Sequence, residues 1–373
     1  MKKIFLCLML VSVLFLTGCG KLDDKKIKEK FVNDVANLKG YYLEGELSLT
    51  NNDDTYKYDV KVSYAKDDNF KVILTNKNNN YEQTILRNNE GVYVITPSLN
   101  KSFKFQSEWP YNNSQSYLLQ SVAQDLKNDE EYQFAQKGKD YIFTTKTNYP
   151  NNPNYTKQNI ILDENNNLKK VEVLDDNNIS YIVFTVTELD KKATFDDEYF
   201  ELDNSTEQNN NNEIKDENKE QKIEETNEND KTTNNSSEEQ TELESNTNNE
   251  EETTTSSSTL DEALFPLYLP ENTALSNKEI IDTTNGQRVI MTFAGDNPFI
   301  LVQETVTKEE ELTIVPTYGE PYLLIDTVGS LTDMSYTWTS NGIEYYIVSD
   351  VMATNELLEV AKSINVVSVI SEK

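Results

Sequence analysis

The chain contains no histidine, only two cysteines, Cys7 and Cys19, and only two arginines, Arg87 and Arg288, among 373 residues. Without histidine it cannot build a Ser-His-Asp triad, a Cys-His pair or the usual histidine-ligated zinc sites. Carboxylate chemistry or a Ser-Lys pair is what remains for catalysis. Acidic side chains are so frequent that two of them close together in sequence carry no signal. Basic charge is also scarce: 65 acidic residues face 34 basic ones, a net charge of −31. A surface of that sign repels nucleic acid and anionic polymers. No nucleic-acid partner is expected.

The one long apolar run is Ile4 to Leu16, preceded by Lys2-Lys3 and followed by Leu16-Thr17-Gly18-Cys19. It is shorter than the ~20 residues that span a bilayer, and it ends in small residues, so residues 1–19 read as a secretion signal. The ending resembles a bacterial lipobox, in which the cysteine sulfur receives a diacylglyceryl group. Cys7 leaves with the signal and Cys19 is then acylated, so no thiol remains for disulfides, thiolate catalysis or zinc. Two acyl chains anchor stably where one does not. The expectation is a chain lipid-anchored on the outer face of the cytoplasmic membrane, with no cofactor beyond that modification and no metal.

Between Asp203 and Ser258, Ile214, Ile223 and Leu243 are the only large apolar residues, and seventeen acidic residues face four lysines. Such a segment cannot bury enough apolar surface to offset its ordering entropy, which predicts a disordered acidic linker over 203–258. Upstream, Ile27, Phe31, Val35 and Leu38 recur at helical spacing before Gly40, which predicts a helix over Lys25 to Lys39. Period-two strands follow at 42–49, 56–64, 70–75, 82–86, 91–96 and 101–105, with connections short enough to imply antiparallel neighbours. Leu118, Leu119, Val122 and Leu126 stripe a second helix behind Ser114 as a candidate cap. Strands resume at 132–136, 140–145, 156–162, 168–174 and 180–186.

The stretch GVYVITPSLNKSFKFQSEWP, Gly91 to Pro110, sets two strand-forming runs around a Pro-Ser-Leu-Asn turn and closes with Trp-Pro. Phe103 and Phe105 share one face of their strand and Ser102 and Lys104 the other, while Val92 to Ile95 is apolar on both faces. That excess means a thick core or a hydrophobic cavity under the sheet. Tyr93, Phe103, Phe105 and Trp109 are the candidate ligand or partner surface of this region. Asp163, Asn165 and Asn167 alternate like the start of a calcium loop, but Leu168 stands where the loop glycine is required, which predicts a hairpin turn instead.

The lipobox, the first helix, the segment from Gly91 to Val122 and the hairpins IILDENNNLKKVEVLDDNNISYIVFTV together resemble the LolA-like family, specifically anchored envelope lipoproteins of the YdcC and GerS sporulation and germination type. The resemblance covers residues 25–202. It implies a mainly β fold, an incomplete antiparallel β-barrel with covering helices. It also implies either of two roles. One is a non-enzymatic lipoprotein that binds or positions a cell-envelope partner such as a cell-wall amidase; the other is a binder of acyl chains or lipoproteins in the half-barrel cavity. A chain tethered through Cys19 cannot shuttle cargo as the soluble carriers do.

After the linker, Thr259 and Glu262 match a capping box. Strands are expected at 287–293 and 299–306, and Ser340-Asn341-Gly342 turns a hairpin between Thr337-Trp338 and Ile343–Val348. A last helix is striped by Leu357, Leu358, Ala361 and Ile364, with Thr354 as its cap. These features predict a small α+β domain over 259–370, which resembles a domain common at the C-termini of Gram-positive envelope proteins. Trp338 is its candidate surface residue, with Tyr345 and Tyr346 beside it.

Overall fold

The structure is a computed structural model that describes residues 23–51, 54–202, 263–284 and 286–364. Cys19, the acidic stretch 203–258 and the Thr259–Glu262 pair lie outside the described residues. No helix among them is long and apolar enough to cross a membrane.

The first helix, α1 (Asp24–Ala36), starts where Asp23 accepts a hydrogen bond from the Lys26 amide, and it buries Phe31 and Val35. The alternation that follows becomes strands β1 (Gly40–Asn51), β2 (Asp54–Ala65), β3 (Asn69–Asn76), β4 (Glu82–Asn88), β5 (Gly91–Thr96) and β6 (Lys101–Phe105). In β3, Phe70, Val72, Leu74 and Asn76 are buried while the residues between them are not. One covered face therefore accounts for the pattern.

The second helix, α2, runs Leu119–Asn128, later than the stripe alone suggests, and Ser114 is not its cap. The Ser114 hydroxyl donates to Asp125 and accepts from the Asn148 amide, so a loop contact outcompetes capping. Strands β7 (Gln133–Lys137), β8 (Asp140–Lys146), β9 (Lys157–Leu162), β10 (Leu168–Leu174) and β11 (Ser180–Asp190) complete the first half. Asp163 closes the β9–β10 turn by accepting from the amides of Asn165 and Asn167, a hairpin turn as expected.

The two meanders join because β1 pairs with β11 as well as with β2. At the β1–β11 irregularity, a Cβ on Gly45 would lie 2.5 Å from the Phe184 ring and 2.6 Å from the Thr185 carbonyl. Only glycine lets those strands approach. The inner face is roofed on one side by α1 and α2, where Leu119, Val122 and Leu126 meet the strand residues Tyr41, Phe143 and Phe184 in one core.

The second half contributes β12 (Thr273–Thr283), β13 (Gly286–Gly295), β14 (Phe299–Thr305), β15 (Thr313–Thr317), β16 (Glu320–Leu323), β17 (Val328–Leu331), β18 (Ser335–Ser340), β19 (Ile343–Val348) and α3 (Thr354–Ile364). Seven of these strands form an antiparallel sheet ordered β12-β13-β14-β19-β18-β17-β16, with α3 buried through Leu357, Leu358, Val360 and Ala361. The β18–β19 turn holds Asn341 at φ 52° and Gly342 at φ 77°, the positive values expected of Asn-Gly.

The eighth strand leaves that sheet. β15 pairs in parallel with β6, giving the first sheet twelve strands in the order β15-β6-β5-β4-β3-β2-β1-β11-β10-β9-β8-β7. The sheet stays open and does not close into a barrel. Residues on both sides of the acidic stretch thus form one compact unit.

Candidate functional site

The stretch from Gly91 to Pro110 is where the second half attaches. Thr96 precedes a single turn of 3-10 helix, Pro97–Leu99, and Asn100 follows it at φ 51°. That left-handed conformation, which asparagine tolerates better than most residues, lets the Asn100 side chain donate to the Glu309 carbonyl at 2.6 Å. Its own carbonyl accepts from the Thr313 amide at 2.8 Å.

Further along the seam, the Gln83 side chain acts as a splint. Its carbonyl oxygen accepts from the Val328 amide at 2.6 Å and the Thr327 hydroxyl at 3.1 Å, and its amide donates to the Val328 carbonyl at 3.1 Å. The Tyr58 hydroxyl donates to the Ile325 carbonyl. Ser107 and Asn112 both donate to Glu320. Burial raises the Glu320 carboxyl above its ordinary pKa, while the Ser107 bond pulls the other way.

Between the strands on either side of this seam lies a cavity of about 390 Å³. Val94, Phe103 and Phe105 line it from the first sheet, and Val315, Pro316, Val328 and Trp338 from the second half. Phe105 is buried and Phe103 half-buried. Trp338 is buried between Tyr336 and Tyr345, stacked at ring-centroid distances of 5.1 and 4.9 Å. Its indole N–H has no hydrogen-bond partner. One acid, Glu344, is at the cavity edge with its pKa raised by burial against the weaker opposing pull of Lys101.

Three of the five sequence-selected residues, Phe103, Phe105 and Trp338, therefore converge on one space, although Trp338 comes from the far half of the chain. The other two do not. Tyr93 is on the opposite face of β5, packed with Leu86 and Phe200 and covered by Lys104 at 5.1 Å from its ring. Trp109 is buried edge-on against Phe70 at 6.0 Å, and its carbonyl accepts from Arg87. Tyr346 is partly exposed, whereas Tyr345 is buried. Nothing in the sequence marks the seam residues Gln83, Asn100 and Glu320, since a polar residue on a strand looks alike whether it meets water or another part of the chain. Among the described residues no group of His, Cys, Asp or Glu could hold a metal ion.

No family model matches the chain. Solved structures with a similar arrangement include the LolA superfamily protein NE2245 from Nitrosomonas europaea, 12% identical with a TM-score of 0.27, covering 48% of this chain and 97% of that one. Another is the CwlD amidase from Clostridioides difficile in complex with the GerS lipoprotein, 15% identical with a TM-score of 0.20, covering 45% and 95%. In sequence, the chain is 30% identical over 366 residues to the sporulation protein YdcC of Bacillus subtilis, covering 97% of each. Because that match spans nearly the whole of both chains, the protein belongs to the family of the sporulation protein YdcC.

Proposed function

We propose that the protein is a non-enzymatic extracytoplasmic lipoprotein, anchored through Cys19, that holds a cell-envelope protein in position during sporulation or germination; a cell-wall hydrolase is the partner class. The observation that carries this reading is the occupancy of the inner face. Residues 324–328 of the second half are hydrogen-bonded to Tyr58 and Gln83 on the surface where a half-barrel would hold cargo. Filling that surface with the chain's own residues suits a rigid support better than a carrier. The relationship to a sporulation protein supplies the context, and the complete lack of histidine leaves few routes to hydrolysis.

The second reading, an acyl-chain binder, is favoured by the cavity lined by Phe103 and Phe105. Its 390 Å³ falls in the ~300–1,000 Å³ range of ligand pockets. Native mass spectrometry of the full chain extracted from membranes separates the two. The expected spectrum carries the diacylglyceryl mass at Cys19 and no further lipid. Co-purified acyl lipid that Phe103→Ala removes would establish the second reading, and an unmodified Cys19 would overturn the anchor.

A further inference from the structure

A second cavity, of about 200 Å³, shares no lining residue with the one beside Phe103 and Phe105. Its lining is of a different kind. Tyr149, Tyr155 and Tyr181 form a continuous aromatic wall, with centroids 5.3 Å apart and near perpendicular for the first pair and 5.4 Å apart for the second. Tyr117 and Tyr322 add two more rings.

Tyr117 is buried, whereas Tyr149, Tyr155 and Tyr322 are only partly covered, and burial pushes all four phenols up. None of the four hydroxyls is sealed in the interior without a partner, so they face the cavity as open groups able to donate and accept. Asn152, which is buried, and Asn154, which is exposed, add amides to the lining. The only charged lining residues, Glu359 and Lys362, pair with each other at 2.7 Å. The site thus presents flat apolar rings and many neutral hydrogen-bonding groups, with no net charge to attract an anion or a cation.

We infer that this cavity is a binding site for one pyranose ring of a neutral glycan. A sugar ring has an apolar C–H face to lie on the tyrosine wall and a rim of hydroxyls that both donate and accept, which phenols and amides match in both directions. The volume suits a single ring, being below the usual range for larger ligands. An acyl chain would leave the phenols unpaired, and a phosphorylated ligand would find no free cation. Because Tyr322, Glu359 and Lys362 come from the second half, the site exists only while the seam is closed, and an occupant stabilises the closed unit.

Saturation-transfer NMR on the full chain with glucose and with N-acetylglucosamine, each at about 20 mM to reach millimolar affinities, tests this. Transfer to ring C–H protons of at least one sugar is expected. Asn154→Trp, at an exposed rim position, should abolish it by filling the mouth. Tyr322→Phe should weaken it about fivefold, the loss of one hydrogen bond, while leaving the melting temperature unchanged. Absence of transfer from both sugars, or transfer that Asn154→Trp leaves intact in a folded protein, overturns the site and makes it a pocket of water only.

Discussion

At the scale of single residues, Gln83 ties the seam through three hydrogen bonds. It satisfies both the amide and the carbonyl of Val328 and also the Thr327 hydroxyl, all in the interior. Gln83→Met keeps the volume but strands these groups, and each buried orphan costs about 1–3 kcal/mol. The expected loss is about 3 kcal/mol, together with faster amide exchange at Thr327 and Val328. Unchanged exchange there would mean that the seam rests on packing alone. Glu344 shows the opposite sensitivity. Its carboxyl is raised above the ordinary glutamate value of 4.5 chiefly by burial, so the folded state binds the proton more tightly than the unfolded one. Stability contributed by the neutral form is complete below 4.5 and is lost as the pH rises through the raised value. Glu344→Gln should remove that part of the pH dependence in melting curves measured from acid to neutral pH.

Among the elements, β15 is the one that changes the architecture, and it was illegible in the sequence. Thr313–Thr317 has five residues, one of them Pro316, and mostly outward-facing side chains, so neither length nor alternation marks it as a strand. β12 carries no strand signal for a related reason: its burial pattern is exposed almost throughout, because a hairpin standing clear of the core needs no period-two signal. The strands that do cover a core, β1 to β6 and β8 to β11, were legible to within a few residues, and so were the stripes of α1 and α3. The same division runs through the candidate site. Alternation placed Phe103 and Phe105 on one face, but nothing periodic links Gln83 to Val328 across 245 positions. The test at this scale is Asn100. Asn100→Gly keeps the positive φ and loses the bond to Glu309, whereas Asn100→Ala loses the bond and adds backbone strain of about 1–3 kcal/mol. Both should weaken exchange protection over Thr313–Thr317, with alanine the more severe. Equal effects would show that the side-chain bond, not the left-handed turn, sets the strand.

For the whole molecule, the two halves share a core rather than a boundary. Phe31 at the start and Ile364 at the end belong to the same hydrophobic cluster, so heat should unfold them in one transition. The parallel pairing of β15 with β6 has a further meaning for solubility. The first half expressed alone would end in a bare β6 edge, with unpaired amides and carbonyls beside Val94, Phe103 and Phe105, which is the kind of exposed apolar edge that templates aggregation. By folding a strand from its own C-terminal half onto that edge, the chain guards itself against sticking to other copies.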